Sequence, residues 1–321
     1  MMDELERIAN LYQDYVNVYK RFNIEDIILL PEKSEQETRY LLISGENKYL
    51  LSAADMDLYG RRFIQYYYWR DIAHVDVNMP KILHKNCQDD HLGNSKVLCV
   101  FTYVEGTPVR EYLLHADNSE AYRMGVAFGE MMRKIHSVEV DIVGHHVSPW
   151  MNSYRFNHKQ IVSEYRPHPA TDRMFEFYEK NLDLLKKHSS TTHYTYKDGV
   201  GKTDRLLAFI SNEFILQNLV VTDDGKPGIK NYSNIQVGDF FYEFRFLSAF
   251  ALCNEYFASG IVDGYFDGKI PEDFFGILKF YTCEYVISEF GKSLDENVVN
   301  QISEYYDHMD AEIPKWYKNI P

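Results

Sequence analysis

The segment Leu206–Phe244 holds the side chains of this chain whose types and spacing could support chemistry. Ser211 and Glu213 lie at the start of a loop that ends at Asn218, and Asn231 follows one reverse turn later. A carboxylate such as that of Glu213 can accept a proton from a hydroxyl group. Amide and carboxylate oxygens are ligands of hard cations such as Mg²⁺. The chemistry to look for is therefore proton transfer beside a bound cation.

The elements that must position these residues are short. Ala208–Ile210 and Leu219–Val221 are apolar runs that predict strands on either side of the loop. Thr222–Pro227 (TDDGKP) predicts a hairpin, because Asp-Gly favours a two-residue reversal. Gly228–Tyr232 predicts a further strand, and Gly238-Asp239 precedes an aromatic run with the pattern of a helix start.

This order of strand, loop, hairpin, strand and Gly-Asp resembles the aminoglycoside phosphotransferase and choline kinase family. The family pattern is H-G-D-x-x-x-x-N, a hairpin, I-D-[WF]-E and then G-D-P-x-x-D. Ser211-Asn212-Glu213 stands at the His-Gly-Asp trio, and Asn218 matches the family asparagine. Asn231 replaces the aspartate that binds metal in the family, while Gly238-Asp239 and Glu243 match the last motif.

Three further segments support the resemblance and follow the family's order. Asn78–Leu83 (NMPKIL) is similar to the V-P-K-P-[IV] segment before the fourth strand, and Val97–Gly106 (VLCVFTYVEG) to the strand that leads into the hinge. Gly125–Val140 (GVAFGEMMRKIHSVEV) is similar to a family helix that ends in L-H-x-[IV]. The resemblance covers about residues 24 to 250 and implies a two-lobed α+β, protein-kinase-like fold. We expect a small antiparallel-sheet lobe at 1–104 and a large, mainly helical lobe at 105–321.

Composition argues against several classes of protein. Lys and Arg number 34 against 48 Asp and Glu, a formal charge of −14, which disfavours nucleic acid and anionic membranes as partners. Cys87, Cys99, Cys253 and Cys283 have no CxxC spacing and are expected to be reduced core cysteines. No apolar run reaches the roughly 18 residues that a membrane span needs. We expect a soluble, cytoplasmic protein.

Apolar periodicity predicts a strand-rich first third and a helical remainder. A first helix is expected at residues 3–20. Strands are expected at Ile24–Leu30, Thr38–Ile43, Lys48–Ser52, Lys81–His84 and Val97–Val104. Further helices are expected at Met56–Ile72, Val109–His115, Ser119–Ser137, Thr171–His188, Asp239–Ala258, Pro271–Phe290 and Glu296–Ile313. Thr191–Asp204 has the composition of a mobile loop.

The resemblance implies nucleotide contacts that this sequence largely lacks. The phosphate-covering turn of the family is rich in glycine, whereas Glu32–Thr38 has three glutamates and no glycine. We expect a solvated hairpin without a ligand there. Ser52 stands at the strand position of the family's phosphate-binding lysine, and Lys48, on the same face of the strand, is the alternative. The helix residues near the expected partner glutamate are Gln65–Tyr67.

The catalytic and metal positions are altered as well. Glu213 keeps a carboxylate at the position of the family's base but is one methylene longer, so it is either a displaced base or an acceptor that braces the loop. Ser211 replaces the family histidine. Asn218 and Asn231 are the candidate metal ligands, and two neutral amides lack the carboxylate charge that attracts Mg²⁺.

Tyr103 and Glu105 join Ser52 as the candidate cofactor-binding positions of the cleft and hinge. No cofactor is firmly predicted from these residues. The resemblance implies ATP or GTP with Mg²⁺ only if the protein is an active enzyme, which the sequence leaves open.

Three functions therefore stay open at the level of sequence. The first is a catalytically degenerate pseudokinase that binds a small molecule or a partner protein in the cleft between the lobes. The second is an active, divergent ATP- or GTP-dependent phosphotransferase, whose acceptor is a hydroxyl group of an aminoglycoside, amino alcohol or sugar. The third is an accessory or scaffold subunit, with the aromatic helix Met56–Ile72 or the loop Thr191–Asp204 as its contact.

Overall fold

The computed structural model describes residues 21–30, 36–89, 95–140, 150–185, 194–197, 200–203, 207–211, 213–232 and 234–318. The helix expected at 3–20 lies outside the described residues, and so does most of the glutamate-rich turn, at 31–35. Within the described residues, no helix is both long and apolar enough to cross a membrane.

The small lobe is an antiparallel sheet of five strands in the order β1-β2-β3-β5-β4. These strands are β1 (Asp26–Leu29), β2 (Glu37–Ser44), β3 (Asn47–Asp55), β4 (Ile82–Asp89) and β5 (Ser95–Thr102). Because side chains alternate along a strand, Leu51 and Ala53 of β3 pack on the outer face, whereas Leu50 and Ala54 pack on the inner face with the main core. The expected small antiparallel sheet is thus confirmed, although β1 is shorter than expected and β2, β3 and β4 are longer.

Helix α1 (Tyr59–Ile72) packs against the inner face of this sheet. It buries side chains three or four positions apart, as a helix with one inward stripe does, and these are Arg62, Gln65, Tyr68, Trp69 and Ile72. The Trp69 ring meets the Phe101 ring edge-on, with centroids 4.9 Å apart. Two members of the inward stripe, Arg62 and Gln65, are polar, and each therefore needs a partner inside the protein.

The chain passes from the small lobe to the large lobe at residues 103–106. The short strand β6 (Thr107–Pro108) pairs with β10 (Leu219–Val221) of the large lobe. Gly106 has φ +155°, and a Cβ there would lie 2.4 Å from the carbonyl oxygen of Val221. Only glycine allows this close approach. The exact lobe boundary at residue 104 stays a prediction.

The large lobe is mainly helical. Its helices are α2 (Val109–His115), α3 (Asn118–His136), α4 (Trp150–Glu164), α5 (Asp172–Lys180), α6 (Leu247–Ala251), α7 (Glu255–Phe266), α8 (Phe274–Glu289) and α9 (Glu296–Tyr305). Helices α3 and α7 approach closely through Gly125, Gly129, Gly260 and Gly264, where an added Cβ would meet backbone oxygens at 2.1–2.3 Å. The contact is therefore backbone against backbone.

Two local expectations are wrong, and one segment is more regular than expected. Within Thr191–Asp204, expected to be a mobile loop, the described residues form two paired antiparallel strands, β7 (Tyr194–Lys197) and β8 (Val200–Thr203). No helix was expected at α4, yet one forms there. The continuous helix expected at Asp239–Ala258 is instead three elements, because Asn254 accepts a hydrogen bond from Phe257 N at 3.0 Å and begins a new helix.

The strands that carry the candidate site agree with the sequence. β9 (Leu207–Ser211) precedes the loop and β10 follows it. The hairpin between β10 and β11 (Pro227–Ile229) forms as expected, although its connection is five residues long, Thr222–Lys226, with Gly225 at φ +77°. A strand absent from the sequence-based expectations, β12 (Ile235–Asp239), pairs with β9.

Candidate functional site

The loop between β9 and β10 corresponds to the expected catalytic loop, and its own polar groups hold it. Ser211 N donates to Glu243 Oε2 at 2.6 Å, and Glu213 N donates to Ser211 Oγ at 3.0 Å. Asn218 Nδ2 donates to the carbonyl oxygen of Glu213 at 2.9 Å. The structure therefore brings Ser211, Glu213 and Asn218 together, with the serine hydroxyl as a brace of the loop.

The Glu213 carboxylate is directed at protein rather than at solvent. Glu213 is 3% exposed, and its Oε2 accepts a hydrogen bond from Asn234 N at 3.1 Å. Arg61 of α1 in turn donates to the side-chain oxygen of Asn234. A general base must come within hydrogen-bond reach of the proton that it removes. In this arrangement the carboxylate instead fixes the loop between β11 and β12.

Asn231 carries an unsatisfied buried atom. Its Oδ1 is buried without a hydrogen-bond partner, although nearly all buried polar atoms in proteins are paired. Asn218 donates its Nδ2 hydrogen bond to the carbonyl oxygen of Glu213. Its Oδ1 is therefore the second candidate amide oxygen, after that of Asn231.

These two oxygens do not make a magnesium site by themselves. Mg²⁺ is held in proteins through carboxylate and phosphate oxygens, and one oxygen of the Glu213 carboxylate already accepts from Asn234. No group of three or more His, Cys, Asp or Glu side chains suited to a metal occurs in the described residues. The residues present do not fit a firmly held Mg²⁺ ion.

The Ser52 side chain, on the inner face of the sheet, belongs to a buried cluster of ion pairs. Its Oγ donates to Glu37 Oε1 at 2.8 Å, while Arg62 Nη2 donates to Glu37 Oε2 at 2.6 Å and Arg39 Nε to Glu37 Oε1 at 3.0 Å. Burial acts to raise the pKa of the Glu37 carboxyl, but Arg62, Arg39 and the Ser52 hydroxyl together hold it below its ordinary value. Glu37 is therefore an anion whose charge is balanced by two arginines inside the protein.

The expectation that Glu32–Thr38 is a solvated turn is thus wrong for Glu37, which is 5% exposed. The cause is the cross-strand register, in which Arg39 faces Ser52 and Glu37 faces Ala54. This register brings the glutamate over the inner face, where Arg62 of α1 meets it. A strand–helix ion pair does exist in this lobe, but the carboxylate is on the strand and the cation on the helix.

The same helix connects the two lobes through hydrogen bonds. Arg62 Nη1 donates to Gln65 Oε1 at 3.0 Å, and Gln65 Nε2 donates to the carbonyl oxygen of Ile235 at 3.2 Å. Trp69 Nε1 donates to the carbonyl oxygen of Tyr232 at 3.1 Å. We call Glu37, Arg62, Gln65 and Ile235 the lobe-bridging network, since it runs from β2 to the segment that follows Asn231.

The hinge residues form a second contact. Tyr103 N donates to the carbonyl oxygen of Lys48 at 3.3 Å, and Lys48 Nζ lies 2.5 Å from Glu105 Oε1. Lys48 is therefore paired at the hinge rather than with Glu37. Glu105 is exposed and Tyr103 is half-buried. Their proposed role as cofactor-binding positions, with Ser52, stays a prediction.

Below the catalytic loop lies a buried group of acids and aromatic residues. Burial raises the pKa of Glu243 to about 8 and lowers that of His136 to about 3. Their 4.0 Å contact therefore joins two neutral groups at neutral pH. Asp239 accepts from Phe241 N at 3.0 Å and from the Tyr281 hydroxyl at 2.9 Å. Glu243 therefore supports the loop through Ser211 N, and Asp239 fixes the start of the aromatic segment that follows β12.

Sequence reasoning missed Glu37, Arg61, Arg62 and Asn234. A signal for Arg62 was present: it lies three residues before Gln65 and seven before Trp69, so it shares the apolar stripe of α1. A charged side chain on such a stripe indicates a buried ion pair. Asn234 has no comparable signal, because its backbone N–H, not its side chain, contacts Glu213.

The described architecture is that of the protein-kinase-like phosphotransferases: an antiparallel five-stranded lobe, a hinge, and a helical lobe that carries the catalytic loop before a short hairpin. The model of the phosphotransferase enzyme family matches residues 32–259, well over half of the chain. The chain belongs to that family. Comparison with curated protein sequences gives no match.

Solved structures of aminoglycoside phosphotransferases share the fold. APH(2'')-Ib with bound ADP aligns with a TM-score of 0.57 at 13% identity, over 95% of this chain and 98% of that one. The GDP complex of aminoglycoside 2'-phosphotransferase-IIIa aligns with a TM-score of 0.59 at 13% identity, over 91% and 97%. The streptomycin–ATP complex of APH(2'')-IIa aligns with a TM-score of 0.57 at 14% identity, over 91% and 94%. Identities this low establish the fold alone.

Proposed function

We propose that this chain is a pseudokinase of the phosphotransferase enzyme family, which binds a small molecule or a partner protein in its cleft and transfers no phosphoryl group. The observation that carries the proposal is the buried cluster of Glu37, Arg62 and Ser52. Phosphoryl transfer depends on cations that meet the phosphates of the nucleotide. Here Ser52 offers a hydroxyl, and the nearest guanidinium groups are already engaged by Glu37.

Two further features support this function. Glu213, at the base position, is buried and accepts from Asn234 N, so a substrate hydroxyl would have to displace an existing hydrogen bond. Asn218 and Asn231 provide neutral oxygens in place of a carboxylate, so they attract a divalent cation weakly.

A cytoplasmic location is part of the proposal, because the free thiols of Cys99, Cys253 and Cys283 are typical of reducing compartments.

The test is a titration of the purified chain with ATP, with and without Mg²⁺. We expect a melting temperature that does not depend on Mg²⁺ and no ATP consumption above a protein-free control. Mg²⁺-dependent ATP turnover that Glu213→Ala abolishes would overturn the proposal. Glu176→Ala is the matched control, since it removes an exposed carboxylate from α5 without touching the base position.

A second candidate is an active, divergent phosphotransferase that uses ATP or GTP with Mg²⁺. The unpaired Oδ1 of Asn231 favours it, because a cation would satisfy that oxygen. Arg61, which is exposed and bonded to Asn234 beside Glu213, could neutralise part of a phosphate charge. In this case Glu213 is the base and Asn218 and Asn231 the ligands. Transfer of labelled phosphate to any of a panel of hydroxylated amines and sugars would favour this function.

A third candidate is an accessory subunit that docks through the outward side of α1. Tyr59, Phe63 and Ile64 are 38%, 42% and 46% exposed there, and Lys85 Nζ lies 4.4 Å from the centroid of the Phe63 ring. Co-purification of a partner from the native source that Phe63→Ser abolishes, while Phe156→Ser at another exposed phenylalanine does not, would favour this function.

A further inference from the structure

A cavity of about 870 Å³ opens in the large lobe directly beside the catalytic loop. We call it the loop pocket. Leu216 and Gln217 of the loop form one wall, and Phe246, Cys253, Glu284 and Val298 of the helical lobe form the others. Cavities of several hundred Å³ with mostly apolar walls and a few polar groups are the usual sites of small ligands.

The walls of the loop pocket are largely apolar. Leu216 and Phe246 face residues of α6 and α9, among them Phe250 and Val298, and Tyr285 adds an aromatic side from α8. The Tyr285 ring meets the Phe246 ring edge-on, with centroids 4.9 Å apart. This packing makes the wall rigid, so a ligand that is itself apolar gains burial without first having to order the side chains.

The acidic groups of the pocket are already occupied by the chain's own hydroxyls. Glu284 accepts from the hydroxyls of Tyr154 and Tyr242, and Glu289 accepts from the Ser293 hydroxyl at 2.7 Å. Burial also raises the pKa of Glu284 above its ordinary value. Tyr154 and Tyr242 thus engage both oxygens of Glu284, and Ser293 engages one oxygen of Glu289.

The two arginines of the pocket differ in their surroundings. The Arg245 guanidinium carbon lies 4.0 Å from the ring centroids of both Tyr242 and Phe246, and its Nη1 donates to the carbonyl oxygen of Tyr242 at 2.7 Å. Arg110 is exposed at the rim. Among the described lining residues the two arginines balance the two glutamates formally. Both oxygens of Glu284 already accept from hydroxyls, whereas Arg110 is exposed at the rim, so a ligand anion finds a partner more readily than a ligand cation does.

We propose that the loop pocket binds a largely apolar small molecule that carries at most one negative charge, and that it excludes polycationic amino sugars. The inference rests on the proposed function, since it names the class of small molecule that the pseudokinase binds. The overall charge of −14 by itself attracts cations, so the proposed ligand differs from the one that this charge favours.

The probes are 1-anilinonaphthalene-8-sulfonate, an aromatic monoanion, and kanamycin, a polycation. Binding is followed by fluorescence and by titration calorimetry on the full chain at physiological salt. Cys253 reports the location, because it lines the pocket and is exposed whereas Cys99 and Cys283 are buried. We expect saturable binding of the sulfonate at one site, slower alkylation of Cys253 by iodoacetamide when it is bound, and no binding of kanamycin.

Two charge-reversal variants complete the design. Arg110→Glu should weaken sulfonate binding about fivefold, because a rim cation becomes an anion. Arg123→Glu, an exposed arginine of α3 that does not line the pocket, should leave it unchanged. Kanamycin binding, sulfonate binding without protection of Cys253, or no binding of either probe would each overturn the inference. The proposed absence of phosphoryl transfer is judged separately by ATP turnover, so the two can fail independently.

Discussion

Removal of the Glu37 carboxylate should destabilise the protein far more than the loss of an ordinary surface ion pair. Glu37 and Arg62 have side chains only 6% and 7% exposed, with 2.6 Å between their charged atoms. Removing one partner of such a pair leaves a buried, uncompensated charge, which costs about 3–5 kcal/mol. We therefore expect Glu37→Ala to lower the free energy of unfolding by about that amount.

The assay is urea unfolding followed by tryptophan fluorescence, since Trp69 packs within the same helix. The control is Glu176→Ala, which removes an acid whose pair with Lys180 is two-thirds exposed on both sides and should cost about 0.3–0.5 kcal/mol. A double-mutant cycle with Arg62→Ala isolates the coupling between Glu37 and Arg62. Equal losses for Glu37→Ala and Glu176→Ala would refute the claim that the pair is a buried, mutually compensated unit.

The pH dependence of this pair has a definite sign. The folded state lowers the pKa of Glu37, so its contribution is present above the ordinary glutamate value of 4.5 and is lost as the pH falls through the lower folded value. Wild type should therefore lose stability on acidification from pH 5 to pH 3 faster than Glu37→Ala does. Parallel stability–pH curves for the two proteins would contradict this.

Three further predictions concern other parts of the structure. Burial raises the pKa of Glu243 to about 8 from 4.5, so wild type should lose stability as the pH rises from 5 to 9, and Glu243→Gln should flatten that curve; urea midpoints across this range test it, and equal slopes would count against it. Asn231→Asp should restore a carboxylate, so that Mg²⁺ raises the melting temperature of the variant but not of wild type, by an amount that corresponds to about 2.7 kcal/mol at a hundredfold excess over Kd; an unchanged melting temperature would argue against a restored metal site. Gly260→Ala should cost about 1–3 kcal/mol, because its Cβ would lie 2.3 Å from a backbone oxygen of the neighbouring helix, whereas Gly60→Ala, with nothing within 4 Å, should be tolerated.

The sequence predicts those parts of the fold that depend on local chemistry. Apolar alternation places β2, β3 and β5, and the Asp-Gly dipeptide places the hairpin after β10, because these signals act within a few residues. The helix break at Asn254 was missed, since the apolar pattern continues across it and only the side-chain cap divides it.

The candidate site was predictable only in part. The positions of Ser211, Glu213 and Asn218 follow from their spacing along one loop, which the structure keeps compact. The contact between Glu37 and Arg62 joins residues 25 positions apart and depends on strand register, which no local pattern fixes. The direction of the Glu213 carboxylate likewise depends on Asn234, which lies 21 positions further along the chain, just before β12.

The lobe-bridging network has a consequence for motion between the lobes. Gln65 and Trp69 of α1 donate to carbonyl oxygens on either side of Asn234, while Arg62 holds β2 through Glu37. Opening of the cleft would break these two buried hydrogen bonds between the lobes, and each broken bond leaves a polar group without a partner. A ligand of the proposed loop pocket would reach its site without this opening.

We propose that the cleft supports no metal-dependent phosphoryl transfer. A single-turnover experiment with γ-labelled ATP, Mg²⁺ and an excess of protein is the sharpest test, because it detects even one transfer of the γ-phosphoryl group to water per molecule. We expect labelled phosphate to be released no faster than in buffer, with and without Mg²⁺. Release that requires Mg²⁺, reaches one equivalent and disappears in Glu213→Ala would overturn the proposal.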